Sequence, residues 1–88
     1  MARRVVTSPH PDSNNIQSTQ DLGTFIKFER TRQGFVRKEA ASLLGISDPT
    51  MEALEEGKET TSLSLYLTAC HMLGISIAAT LHDEKDDI

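Results

Sequence analysis

Cysteine, aromatic residues and basic charge are all scarce in this 88-residue chain. A single cysteine, Cys70, excludes an internal disulfide. There is no tryptophan, one tyrosine and only three phenylalanines, so the core has to be assembled from Leu, Ile, Ala and Met. A core of that size makes a marginally stable domain, and shared burial with a second chain would offset the deficit. No apolar run approaches the ~20 residues that cross a bilayer, so no membrane partner is expected. Arg3 and Arg4 are not followed by the apolar core of a signal peptide, and the expectation is a cytoplasmic protein. The net charge of −4 is a poor starting point for indiscriminate nucleic-acid binding.

Marks of catalysis are missing as well. No phosphate loop, nucleophile elbow or paired catalytic carboxylate is present. His10, His71 and His82 do not cluster, and Cys70-His71 is not a metal spacing, so neither an enzyme nor a metal or other cofactor is expected. Cys70 reads as a small buried hydrophobe.

What is there is an uneven charge distribution and a short helical pattern. Residues 1–46 carry seven Lys/Arg against four acids, whereas residues 47–59 carry Lys58 against Asp48, Glu52, Glu55, Glu56 and Glu59. Residues 82–88 hold Lys85 against four acids. Residues 1–17, with Pro9, Pro11, Asp12, Ser13, Asn14 and Asn15, read as a flexible arm. Arg3 and Arg4 on such an arm could reach a minor groove, although a solvated tail is the plainer reading. A first helix opens at Ser18 or Thr19, with Asp21 completing a form of capping box. It places Leu22, Phe25, Ile26 and Glu29 on one face and stops at Gly34. Glu29 falls where a hydrophobe is expected and calls for an ion pair; Phe28 lies off the face and could pack against a partner.

The most telling segment is Val36–Leu54. A helix from about Arg37 to Leu44, a turn at Gly45 and a helix starting after Ser47 or Asp48 have the spacing of a helix-turn-helix unit, with Ala41, Ile46, Met51 and Leu54 facing the core. If Asp48 is the cap, Pro49 falls at the first helical position. Thr61 or Ser62 caps a fourth helix with Leu63, Tyr66, Leu67, Cys70 and Leu73 inward, ended by Gly74. Residues 75–81 then alternate as a strand, with a fifth helix as the alternative. A lone strand is unstable, and pairing with the same strand of a second copy predicts a homodimer held by Ile75, Ile77, Ala79 and Leu81.

Residues 22–75 resemble the Xre/Cro-type helix-turn-helix domain of phage repressors and bacterial antitoxins. The likeness rests on Leu22, Gly23, Ile26, Lys27 and Arg30; on Gly34-Phe35; on Glu39, Ala41, Gly45, Ile46 and Ser47; on Met51, Leu54, Glu55 and Gly57; and on Leu63, Leu73, Gly74 and Ile75. The run from Thr60 to Leu81, helix then strand, most resembles the HipB-type antitoxins. The resemblance implies a mostly α, lambda-repressor-like fold of four to five helices with a C-terminal dimerising strand. It divides the chain into an arm (1–17), a helix-turn-helix domain (18–74), a dimerisation strand (75–82) and an acidic tail (83–88). It implies an autorepressor that binds operator DNA and holds a HipA-like Ser/Thr kinase toxin inactive. The alternatives are a stand-alone regulator, or an interaction module that kept the fold and binds DNA weakly.

Three positions depart from the family pattern. Val36-Arg37 replaces the usual Thr-Gln, Asp48 and Pro49 replace small polar residues, and Glu52 replaces a neutral one. The expected DNA face comprises Arg37, Lys38, Thr50 and Glu52, with Asp48, Lys27 and Lys58 as further candidates. Arg37 would contact phosphate or read guanine, and Glu52 would accept from cytosine N4. In the competing readings Asp48 is a cap and Glu52 is solvated or ion-paired, or the acidic helix repels phosphate and has become a protein surface. Glu55 is expected to satisfy backbone or an arginine rather than touch DNA, with Arg30 as a candidate partner.

Overall fold

Helix caps decide where the elements begin. The computed structural model describes residues 5–81 and contains α1 (Thr19–Arg32), α2 (Arg37–Leu44), α3 (Asp48–Glu56) and α4 (Leu63–Met72). Ser18 opens α1, its hydroxyl accepting from the Asp21 N–H at 3.1 Å, while the Asp21 carboxylate accepts from Gln17 N–H rather than from Ser18. At α2 the capping residue is Val36, which has no acceptor to offer, and the Glu39 carboxylate takes the Val36 N–H at 3.0 Å. Ser47, not Asp48, caps α3 by accepting from Thr50 N–H at 3.2 Å. Pro49 therefore sits at the second helical position, where its missing N–H still costs nothing. Ser62, not Thr61, caps α4.

The core forms where α3 packs between α1 and α2 and α4 closes one side. Leu22 and Ile26 of α1, Ala40 and Ala41 of α2, Met51 and Leu54 of α3, and Tyr66, Ala69, Cys70 and Leu73 are buried, with Phe35, Leu44, Ile46, Leu65 and Ile75 against them. Two expected core residues are corrected: Leu63 and Leu67 are 59% and 45% exposed. The buried stripe of α4 is Tyr66, Ala69, Cys70 and Leu73, at i, i+3, i+4 and i+7. Leu67 lies one residue, about 100°, off that stripe, and Leu63 begins the helix beyond the edge of the core. The Tyr66 ring is fully buried and its hydroxyl donates to Lys58 O at 2.8 Å, tying α4 to the loop behind α3.

The N-terminal arm lies against α1. Ser8 N–H donates to Thr31 Oγ1 at 2.9 Å, and the His10 ring meets Phe28 edge-on with centroids 4.7 Å apart. Phe28, which the sequence left free to pack against a partner, thus meets the arm of its own chain. Residues 75–81 carry neither a helix nor a strand paired within the single chain, so the fifth helix is not formed there. Ile75 packs on the core, while Ile77 and Leu81 are exposed. Arg3, Arg4, His82 and the acidic tail fall outside the described residues. Among the described residues no helix is long and apolar enough to cross a membrane.

Glu29 finds its partner in Arg32, whose Nε and Nη2 donate to the two carboxylate oxygens at 2.6 and 2.7 Å. Gln33 Nε2 is shared between Glu29 and Leu73 O, both at 2.8 Å, which links the end of α1 to the end of α4. The Arg32 hydrogen bonds, helped by Gln33 and opposed by partial burial, hold the Glu29 carboxyl down at about 2 from 4.5. Folding therefore favours the ionised form. The stabilisation is complete above pH 4.5 and disappears as the pH falls toward 2. Because Arg32 is half exposed, it amounts to no more than about 1 kcal/mol. Urea midpoints of Glu29→Gln should fall below those of the parent at neutral pH and converge with them near pH 2; a constant difference across that range would refute the assignment.

Candidate nucleic-acid interface

The turn between α2 and α3 requires a left-handed residue, and Gly45 supplies it at φ 71°. Its neighbour Ile46 donates its N–H back to Ala41 O at 2.9 Å, closing the end of α2. This sets α3 across α2 with Met51 and Leu54 fully buried and with Pro49, Glu52 and Glu56 on the open side.

The rear of α3 is fixed by three contacts with α1. At Gly23 a Cβ would stand 2.5 Å from Leu54 O and 2.6 Å from Glu55 O, so only glycine allows the two backbones this close. Thr19 Oγ1 donates to Gly57 O at 2.7 Å. Arg30 grips Glu55 through Nε and Nη2, and its Nη1 donates to Phe35 O at 2.7 Å. Both side chains of this pair are almost fully buried. The expected Arg30–Glu55 pairing is therefore present, and through Phe35 O it also orients the segment leading into α2.

The front of α3 carries the charged groups. Arg37 Nε donates to Asp48 Oδ1 at 2.8 Å and Nη2 to Asp48 Oδ2 at 3.2 Å, a bidentate pair between the first residues of α2 and α3. Arg37 Nη1 is 3.7 Å from Glu52 Oε2, one turn further along α3. The hydrogen bonds from Arg37 hold the Asp48 carboxyl below its ordinary value, and those to Asp48 raise the Arg37 guanidinium above its own. Lys38 lies near enough to add to the effect on Asp48.

Arg37, Lys38, Asp48 and Glu52 are thus brought together at one end of the motif. Thr50 lies in the first turn of α3, its hydroxyl 2.8 Å from that of the cap Ser47. Two other candidates lie elsewhere. Lys27 is exposed on α1, and Lys58 follows the far end of α3, beside Glu56 at 3.6 Å. The bidentate Arg37–Asp48 pair is what sequence reasoning missed, having placed Arg37 on DNA. The available signal was opposite charge at the first residue of two helices that a helix-turn-helix brings side by side. Gly57 is part of the sequence motif, but the close packing of the start of α1 against it is not visible in the sequence.

No protein-family model matches the chain, and no curated protein matches it. Solved structures do. A HipB–O4 20mer complex is similar over 82% of this chain and 99% of the matched chain, with a TM-score of 0.66 and 26% identity. A complex of a HipB variant with an O2 20mer matches 83% of this chain and 99% of that one, also with a TM-score of 0.66 and 26% identity. A HipA–HipB–O2–O3 complex matches over 82% and 99%, with a TM-score of 0.65 and 26% identity. The four helices, the αL turn at Gly45 and the anchored rear of α3 belong to a HipB-like helix-turn-helix fold.

Proposed function

We propose that the chain is a DNA-binding antitoxin that represses its own operon and neutralises a HipA-like Ser/Thr kinase toxin. One observation carries this reading: the likeness to HipB extends over 99% of the matched chain, in complexes with O2 and O4 20mers and with HipA. The geometry is compatible with operator binding, because α3 is locked from behind by Gly23, Gly57 and Glu55 and leaves Pro49 and Glu52 on its open side. Charge sets the terms. Arg37 and Lys38 are balanced by Asp48 and Glu52, so counterion release, which dominates most DNA affinities, contributes little at this face. Affinity then depends on two copies acting together on half-sites about 34 Å apart.

The direct test is a gel shift with the chain's own upstream DNA at low and physiological salt, with and without the kinase encoded beside it. A specific complex, supershifted by the kinase, is expected. Absence of a specific complex at either salt sinks the repressor reading, and a DNA complex with no kinase association leaves a stand-alone regulator.

The second copy is proposed to pair through residues 75–82, with Ile75, Ile77, Ala79 and Leu81 in the interface. Ile77 is 45% exposed and Leu81 91% exposed in the single chain, apolar surface that a partner strand would cover. Ile77→Asp should convert a dimer to a monomer in sedimentation equilibrium without loss of helical circular dichroism. A variant that stays dimeric would place the interface elsewhere.

A further inference from the structure

Asp48 and Glu52 look misplaced on a helix meant to approach a polyanion, but the way Asp48 holds Arg37 gives it a task. A guanidinium has five N–H donors in one plane. Asp48 occupies the Nε and Nη2 side, and no other described residue hydrogen-bonds the outer Nη1/Nη2 fork; Glu52 stands 3.7 Å from Nη1, in ion-pair range but too far for a hydrogen bond. Asp48 is fixed at the first position of α3, so the plane of Arg37 is fixed relative to that helix. An arginine arising from α2 is thereby oriented along α3.

The geometry points to Arg37 as a reader of guanine, with Asp48 as its positioning residue rather than a DNA contact. This rests on the DNA-binding reading given above. The outer fork presents two parallel N–H donors, the pattern that matches guanine O6 and N7 in the major groove. Two acceptor sources present such a pair, guanine and backbone phosphate, and local charge selects between them. Arg37, Lys38, Asp48 and Glu52 together carry no net charge, so the cluster has little net attraction to offer a phosphate and is indifferent to a neutral base. Directional hydrogen bonding is what this cluster has to offer.

The probe is a randomised duplex library, from which the full-length protein selects its preferred sites at low salt; each guanine of a selected duplex is then replaced by 7-deazaguanine, which removes N7 and keeps base pairing. One guanine in each half-site is expected to be sensitive, its replacement weakening binding about tenfold to a hundredfold. Asp48→Asn should abolish that sensitivity and, having lost a negative charge, bind random duplex more tightly. Arg37→Lys retains the charge but not the fork, and should also lose the sensitivity. Parent protein insensitive to every 7-deazaguanine, with phosphate ethylation interfering instead, places Arg37 on the backbone and overturns the inference. Full discrimination retained in either variant overturns it too. A parent protein that selects no sequence from the library overturns the DNA-binding reading itself, a result distinct from both.

Discussion

Glu55→Ala should destabilise the domain by about 3–5 kcal/mol, a large share of a total stability of the order of 5–15 kcal/mol. The side chains of Arg30 and Glu55 are 9% and 7% exposed, so neither charge can turn to water. Removing the carboxylate leaves the guanidinium buried with Phe35 O as its remaining partner, and the cost is that of an uncompensated interior charge. The pair itself is a different quantity. Replacing both partners, as Arg30→Met with Glu55→Leu, removes the charges together with their desolvation penalty, and should recover more than half of the loss. Urea denaturation of the single-site variant and of the double variant measures both. A single-variant loss below about 1 kcal/mol, the range of exposed pairs, would mean that water reaches the site.

Gly57→Ala should be the most damaging of the glycine substitutions in the turns, and Gly45→Ala is its control. Both residues have positive φ, 75° and 71°, and both variants incur the left-handed penalty of about 1–2 kcal/mol. At Gly45 nothing lies within 4 Å of the added methyl, so the cost ends there. At Gly57 the methyl would stand 2.6 Å from the Gln20 backbone nitrogen, at the first turn of α1. Backbone cannot swing aside, and the Thr19 hydrogen bond to Gly57 O would have to lengthen as α1 is pushed away. Overpacking of this kind adds about 1–3 kcal/mol. Thermal midpoints should separate accordingly, by about 4–8 °C for each kcal/mol in a domain of this size. Equal midpoints for the two variants would show that α1 and α3 part easily.

The helices were legible from local chemistry. Ser18, Ser47 and Ser62 are short hydroxyl side chains ahead of apolar-periodic runs, and each caps a helix. Gly45 and the 3.6-residue spacing of Met51 and Leu54 revealed the helix-turn-helix itself. Less legible was which stripe of α4 turns inward, because LSLYLTACHM is apolar on most sides and periodicity alone does not choose among its faces. Leu63 and Leu67 were assigned to the core for that reason. The pairing of Arg37 with Asp48 was hidden differently. Charge along the chain shows that α3 is acidic, but not that one of its carboxylates is already satisfied by a residue eleven positions earlier. Contacts of that kind depend on the crossing of two helices and are absent from any single segment. The pairing of residues 75–82 depends on a second chain and is a proposal for the same reason.

Tyr66 has an optical consequence. It is the only tyrosine in a chain without tryptophan, and it is fully buried with its hydroxyl bonded to Lys58 O. Near-ultraviolet absorption and emission of the protein therefore arise almost entirely from one ring, at the junction of α3 and α4. Light from this protein reports whether the back of α3 is seated, and DNA or a partner chain binding at the front will be visible in that signal only insofar as it moves the helix as a whole.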